Sequence, residues 1–428
     1  MSKRSYASVS VNRVRAEAVE KSLGGRPVII GVDVAKERQY ASLWALEAPG
    51  RAERLQGVHF GLAQTREFIE VVGALGASAV TVVVEPTGSY SVPLVHAFQQ
   101  SGWDVVEISG KKTHDAREIF DGVPSSHDAK ACDLLVQLYL LGQGKSLSPK
   151  SDEARDRTAA VYMLRRYQDQ LSRLRGELEG LLAKFWPEVT KCLSLTNASL
   201  PALLSAFPGP AAVRERPKEA RRHLRKVGRS FLAGERIDEV LWSAESTLGV
   251  PMTAGEREAL KALAEEICEL RARLAKAKAK VEAIGETAAP TLVTFAGKAT
   301  TAILMSELGP LHEYSNARAL EKAIGLNLRQ NSSGTKIGRV TISKRGSSMA
   351  RQSLHFVALR TIKSDAVVRA YYEAKRARDG GASQRAIVAI MRKIARALWH
   401  LAQGQAFDAA QLFDVRKLRA LERDRRMA

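Results

Sequence analysis

The chain has 428 residues, 45% of them hydrophobic, which makes it a globular protein of two or three domains and excludes a disordered tail. Its 66 Lys and Arg exceed its 46 Asp and Glu, for a formal net charge of +20. That excess points to a polyanionic partner, because each cation placed on a phosphate releases a counterion. Nucleic acid is favoured over a membrane surface or a merely soluble basic protein, since no basic amphipathic anchor or lipidation motif occurs and no apolar run reaches bilayer-spanning length. Cys132, Cys192 and Cys268 lie far apart and the eight histidines are scattered, which suits neither a disulfide framework nor a zinc site.

Residues 1–26 are polar and basic with no apolar signal core, and are expected to form a disordered arm of a cytoplasmic, nucleoid-associated protein. A first domain is expected over 27–150. Its predicted strands are Val28 to Asp33, Tyr40 to Ala45, Arg54 to His59, Val80 to Glu85 and Asp104 to Ile108. Helical spacing marks Leu62 to Leu75 and Val92 to Gln100. Three consecutive strands followed by alternating helix and strand is the order of an RNase H-like α/β sheet. A doubly wound Rossmann sheet would alternate from the start, and no G-x-G-x-x-G follows the first strand.

A middle region is expected over 151–286. Leu164, Tyr167, Leu171, Leu174, Leu178, Leu181 and Phe185 form a heptad seam stopped by Pro187. A second seam runs through Leu260, Leu263, Ile267, Leu270, Leu274, Ala277, Val281 and Ile284. Such spacing favours a coiled coil, either as an antiparallel hairpin or as a joint between subunits. Between the seams lies a Pro-punctuated stretch with the basic run Lys218 to Arg229, read as a small helical insertion. A mainly helical domain is expected over 287–410, with helices near Thr300 to Leu308, Ala317 to Ile324, Met349 to Ile362 and Gln384 to Ala402. A charged, solvated tail over 411–428 follows.

Asp33 ends the apolar strand of IIGVDVAKE, and Glu85 ends that of VTVVVEPTG. In an RNase H-like sheet the first and fourth strands are neighbours, so the two acids point into one space. Carboxylates so placed can hold two Mg²⁺ ions about 4 Å apart, which activate a nucleophile and stabilise a leaving oxygen in phosphoryl transfer. Either acid alone reads equally well as a strand-end residue at a helix N-terminus. Together, on adjacent strands, they favour the metal. A third acid has to come from PSSHDAKACDLLVQLYLLG, where Asp128 and Asp133 open a helix and Asp128 is equally readable as an N-cap.

The turn-rich segment NSSGTKIGRVTISKRGSS carries Ser333 with Lys336, Arg339, Lys344 and Arg345 among glycines. Backbone N–H groups and cations converging in this way suit a phosphate-gripping loop. A serine among them could attack a phosphodiester and form a covalent intermediate. On residue chemistry alone, Ser-Ser-Gly is a turn and nothing more in most proteins.

Taken together, GVDVAKE, VVVEPTGSY, SSHDAKACDLL, ALEKAIGLNLRQNSSGTKIGRVTISKRGSSMARQSL and AIMRKIARALWHLAQGQAFD resemble the IS110-family transposases, including the Piv-type invertases. The likeness covers most of the chain. It implies an N-terminal RuvC-like domain of DEDD type and a C-terminal transposase domain. It also implies that Asp33, Glu85 and Asp128 are metal acids for Mg²⁺ and that Ser333 is the nucleophile. As partners it implies element-junction and target DNA, a structured noncoding guide RNA, and a homo-oligomer, a tetramer or dimer of dimers, with composite sites. The sequence departs from the family in three places. The fourth acid of D-x-x-D falls on Ala131, leaving Asp133, which two helical residues rotate by roughly 200°, or Asp121. The P-G-I-G hairpin reads Ala296, Gly297, Lys298, Ala299, and the proline of G-L-x-P is Leu328.

Three functions compete. One is a DNA recombinase working through Ser333, and another is a metal-dependent, junction-resolving nuclease that uses only the acids and water. The third, a kinase or ATPase-like protein, lacks a second Gly-rich phosphate loop and leaves the charge unexplained.

Overall fold

The computed structural model describes residues 7–413, apart from 87, 120, 121, 123–126, 331–337 and 339. Contacts within the chain divide it into two units, Met1–Ser151 and Asp152–Ala428. Among the described residues, no helix is long and apolar enough to cross a membrane.

In the first unit, strands β1 (Ser8–Ser10), β2 (Val28–Asp33), β3 (Arg38–Ala48), β4 (Arg51–Gly61), β5 (Val80–Val84), β6 (Asp104–Glu107) and β7 (Lys145–Ser146) form one sheet in the order β1-β4-β3-β2-β5-β6-β7. β3 runs antiparallel to both β2 and β4, while β2, β5 and β6 are parallel. This is the mixed sheet that the strand order in the sequence predicted. Alternation along the strands sends Val28, Ile30 and Val32 of β2 to one face. There they pack with Phe68 and Val72 of α2 (Thr65–Gly73) and with Leu94 and Phe98 of α3 (Ser91–Gln100). Ile29 and Val83 point to the opposite face and meet Leu134, Leu135, Val136 and Leu138 of α5 (Asp128–Leu140).

The expected disordered arm is corrected. Ser8–Ser10 adds a parallel strand to β4, and α1 (Ala16–Leu23) follows. Val11, Val19 and Leu23 are buried in the first face's core. Each such side chain contributes roughly 1.5–3 kcal/mol on burial, which offsets the entropy of ordering this short segment. The polar, basic surface of residues 7–26 hid this short apolar pattern in the sequence.

In the second unit, α6 (Asp152–Phe185) and α12 (Ala254–Ala288) lie antiparallel. Leu171, Leu174, Leu178 and Leu182 share a core with Leu260, Ala264, Ile267 and Leu270, while Ala160, Val161 and Leu164 share one with Val281. Lys184 near the end of α6 pairs with Glu256 at the start of α12 at 3.0 Å. Of the two arrangements left open by the sequence, the seams meet within one chain. The basic stretch between them folds as α7 (Val189–Cys192), α8 (Ser199–Ala206), α9 (Pro210–Glu215), α10 (Pro217–Gly228) and α11 (Gly234–Glu245). Its apolar residues join the same core around Trp186, whose Nε1 donates to Ser243 Oγ at 3.1 Å.

After α12 come α13 (Pro290–Ala296), α14 (Lys298–Leu308), α15 (Ala317–Ile324), α16 (Ser348–Ser364), α17 (Ala366–Arg378), α18 (Ser383–Ala402) and α19 (Ala409–Leu412) around a further core. A Cβ at Gly285 would stand 1.9 Å from the Lys298 carbonyl oxygen, so this glycine is what lets α14 approach α12 so closely. The expected middle and C-terminal domains fall within one compact unit because α12 is part of the middle core and, through Val281, shares a smaller core with Ala302 of α14 and Met349 of α16. Residues 414–428 of the expected charged tail lie outside the described residues.

Candidate functional site

Asp33 is the last residue of β2, and its position follows from pairing. The parallel register of β2 with β5 ends at Val32↔Val84, so Glu85 is the next residue beside Asp33. The antiparallel register places Tyr40 of β3 opposite Asp33, and His59 of β4 opposite Tyr40. Directly paired residues share a face. Glu85, Asp33, Tyr40 and His59 therefore form a row across the sheet on the face that α5 covers.

What seats α5 is Gly31. A Cβ there would lie 2.1 Å from the Cys132 carbonyl oxygen, so only glycine lets the helix backbone approach so closely. Cys132 Sγ accepts from the Asp33 N–H at 3.3 Å and donates to the Tyr40 carbonyl at 3.1 Å, which ties the helix to the strand end. Burial, followed by the charge of Asp33, pushes the Cys132 thiol well up, so it acts as a neutral spacer. The N-cap of α5 is His127, whose Nδ1 accepts from the Lys130 N–H at 3.2 Å. Asp128 is thus the first helical residue and not the cap.

Glu85 is held from the other side. Thr113 Oγ1, on α4 (Gly110–Ala116), donates to Glu85 Oε2 at 2.6 Å. Gly110 leaves room for Oε1, which a Cβ there would meet at 2.5 Å. On the other flank, Gln39 closes the β2–β3 turn by accepting from the Ala35 N–H at 3.0 Å and donating to its carbonyl at 2.8 Å. Beside that turn opens a cleft of about 810 Å³, lined by Lys36, Arg38, Tyr40, His59 and Asp128 among others.

The electrostatics single out Asp33. Its carboxyl is pushed up to about 6, first by burial and then by the charges of Asp128 and Glu85. Asp128 and Glu85 are thus near enough for their charges to act on Asp33. Among the described residues, no three His, Cys, Asp or Glu side chains already stand at ligating distance from one another. The three side chains are all carboxylates, the donor type a hard divalent cation takes, and a cation beside them would relieve the charge that Asp128 and Glu85 place on Asp33.

Asp133 is corrected. Its Oδ1 accepts from Ser42 Oγ at 2.5 Å and from Arg54 Nε at 3.0 Å, and its Oδ2 accepts from Arg54 Nε at 3.1 Å. The carboxylate is thus bound to the β3–β4 side as a buried ion pair, and the acids acting on Asp33 are Asp128 and Glu85. Rotation along the helix is the physical reason. Asp133 follows Asp128 by five residues, or roughly 140°.

In the second unit, β8 (Leu328–Arg329) and β9 (Thr341–Ile342) pair as a short hairpin. Ser333, Lys336 and Arg339, in the segment joining them, lie outside the described residues, as does Asp121. Lys344 and Arg345 follow β9 and are exposed. Lys344 takes a left-handed φ of 55° while its N–H donates to the Gly325 carbonyl at 3.0 Å, and Ser343 Oγ accepts from the Arg345 N–H at 3.3 Å. The hairpin leans on α15, whose buried Glu321 accepts from Arg392 Nε at 2.7 Å and Arg396 Nε at 2.6 Å.

Sequence reasoning missed Thr113, Cys132, Tyr40, His59 and Arg54. Gly31, inside an apolar strand, was the one available signal of a close helix approach.

Residues 291–373 match the model of the family described as Transposase IS116/IS110/IS902. This matched domain is the part of the chain that is similar to that family. That domain spans α13 to α17 and includes the β8–β9 hairpin. None of the curated proteins matches the chain. Among solved structures, it is similar to the Thermus thermophilus RuvC structure, with 17% identity over 28% of this chain and 99% of that one, at a TM-score of 0.21.

Proposed function

We propose that the chain is a DNA transposase that cleaves and rejoins strands, using the Asp33 cluster together with Ser333. The observation that supports this most is the Asp33 carboxyl at one end of a mixed sheet, pushed up by burial and by the neighbouring charges of Asp128 and Glu85, in a chain whose residues 291–373 match a transposase family. A protein gains nothing by clustering like charges unless a cation or phosphate chemistry uses them.

In this reading Asp33, Glu85 and Asp128 hold divalent metal, Mg²⁺ by preference, which when bound neutralises charge on the scissile phosphate. Thr113 keeps Glu85 oriented, and Cys132 keeps α5 in register with Asp33. The Ser333 oxygen forms a bond to phosphorus while the bond to the leaving deoxyribose oxygen breaks. The proton lost by the serine balances the one gained by that oxygen. Rejoining is the reverse, with an incoming deoxyribose hydroxyl releasing the serine. Lys336, Arg339, Lys344 and Arg345 grip the flanking phosphates. The DNA partners are the element junction and target, selected by a structured noncoding RNA. The working form is a tetramer whose sites combine acids of one subunit with the serine of another.

The test is complementation. Asp33→Ala and Ser333→Ala chains are each expected to be inactive in recombination, and Ser333→Ala to form no covalent protein–DNA adduct. Mixing the two is expected to restore part of the activity if sites are composite. Full strand exchange by Ser333→Ala would refute the serine mechanism and leave the junction-resolving nuclease. Unchanged cleavage by Asp33→Ala would refute the metal site.

A further inference from the structure

The helical insertion of the second unit contains a cavity of about 1070 Å³, separate from the carboxylate cluster, lined by Lys191, Ser194, Thr196, Phe231, Arg236 and Arg271 among others. Arg271 of the lining shares a single acceptor, the carbonyl of the lining residue Thr196, with Arg175, which is not itself part of the lining. Arg271 Nη1 donates to the Thr196 carbonyl at 2.8 Å, and Arg175 Nη2 donates to the same oxygen at 3.2 Å. Neither arginine pairs with a carboxylate among the described residues. Arg175 Nε is buried and has no hydrogen-bond partner. Burial and the charge of Arg271 hold the Arg175 guanidinium below its usual pKa, as expected of two cations sharing one carbonyl.

Of the remaining lining charges, Arg236 pairs with Glu239 at 3.0 Å, and Glu179 supplies an acid to the wall. Cations still outnumber acids there. An anion with fixed oxygens would relieve the arginine pair, and the planar guanidinium fork suits phosphate oxygens. Phe231, also in the lining, is 93% exposed, so its ring is open to a stacking partner. Leading away from the rim, Lys218, Arg222, Arg225, Lys226 and Arg229 on and after α10 are all exposed. Such a track follows a repeating polyanion and has no use for a single nucleotide.

We propose that this cavity binds a phosphodiester of a single-stranded nucleic acid, with one base stacked on Phe231 and the backbone running along α10. The ring supplies sequence-tolerant stacking, and the arginine pair fixes one phosphate.

The experiment uses the full chain with single-stranded DNA and RNA oligonucleotides of about 10 nucleotides, a span typical of such grooves. Affinity is read by fluorescence anisotropy and position by hydrogen exchange of residues 190–199 and 228–233. An oligonucleotide is expected to protect those segments. Phe231→Ala, at an exposed position that does not threaten the fold, is expected to weaken binding about tenfold. Arg175→Gln with Arg271→Gln is expected to lower the salt-dependence slope by about 0.7, for the one phosphate that the pair holds. Protection by only one of the two oligonucleotides supports the site and identifies the sugar. Wild-type affinity and slope in the variants, or no local protection, would overturn the proposal. So would equal protection by inorganic phosphate alone with nothing gained from either strand.

Discussion

Replacing Asp33 with asparagine keeps its shape and removes the charge that the first unit holds at a cost. The carboxyl rises from 3.8 to about 6 in the folded state. At 1.36 kcal/mol per pKa unit that is about 3 kcal/mol of destabilisation, of which roughly 1–2 kcal/mol survives solvent screening of a half-buried group. The sign follows from proton binding. Between the two values the folded state holds more protons than the unfolded one, so stability falls as pH rises from about 4 to about 6. Asp33→Asn is therefore expected to stabilise the metal-free unit by about 1–2 kcal/mol at pH 7.5 and by roughly half that at pH 5. Hydrogen exchange of the β2 and α5 amides in EDTA measures this locally, whatever the second unit does. Adding Mg²⁺ is expected to stabilise the wild type and leave the variant unchanged. A destabilised variant at pH 7.5, or an equal gain at both pH values, would refute the account of Asp33 as a strained member of an acid cluster.

Three further outcomes follow from the same geometry. Asp133→Ala strands the Arg54 guanidinium and is expected to cost about 3 kcal/mol in urea denaturation, while cleavage per folded molecule stays unchanged. Loss of cleavage with the fold intact would return Asp133 to the ligand set. Gly31→Ala forces a methyl group onto the Cys132 carbonyl and is expected to cost at least about 1–3 kcal/mol by displacing α5; a wild-type melting temperature would contradict that packing. Thr113→Val removes the hydrogen bond to Glu85 and is expected to lower metal-dependent cleavage about tenfold, with the far-UV spectrum unchanged. Full cleavage by that variant would show that Glu85 needs no anchor.

Sequence periodicity was enough to locate β2 to β6 and the order of the mixed sheet, because strand alternation and short apolar runs are local signals. It also placed Asp33 and Glu85 at adjacent strand ends, since that follows from topology once the order is known. The heptad seams foretold that α6 and α12 would bury their apolar stripes, but the partner of each depended on chain geometry. That the two pair antiparallel within one chain was decided by the compact insertion between them.

Tertiary contact alone resolved the acids of α5. Asp128 and Asp133 look alike in sequence, each an aspartate near a helix start. The close seat of α5 on Gly31 turns Asp128 toward Asp33 and hands Asp133 to Arg54 and Ser42. A rotation of roughly 140° about a helix axis, fixed by the missing side chain of one glycine, separates an acid of the candidate site from an acid of the core. Likewise, the ordered β1 and α1 owe their place to Val11, Val19 and Leu23 finding a shared core. Local composition fixed where acids and cations lie along this chain, and long-range packing chose which of them act together.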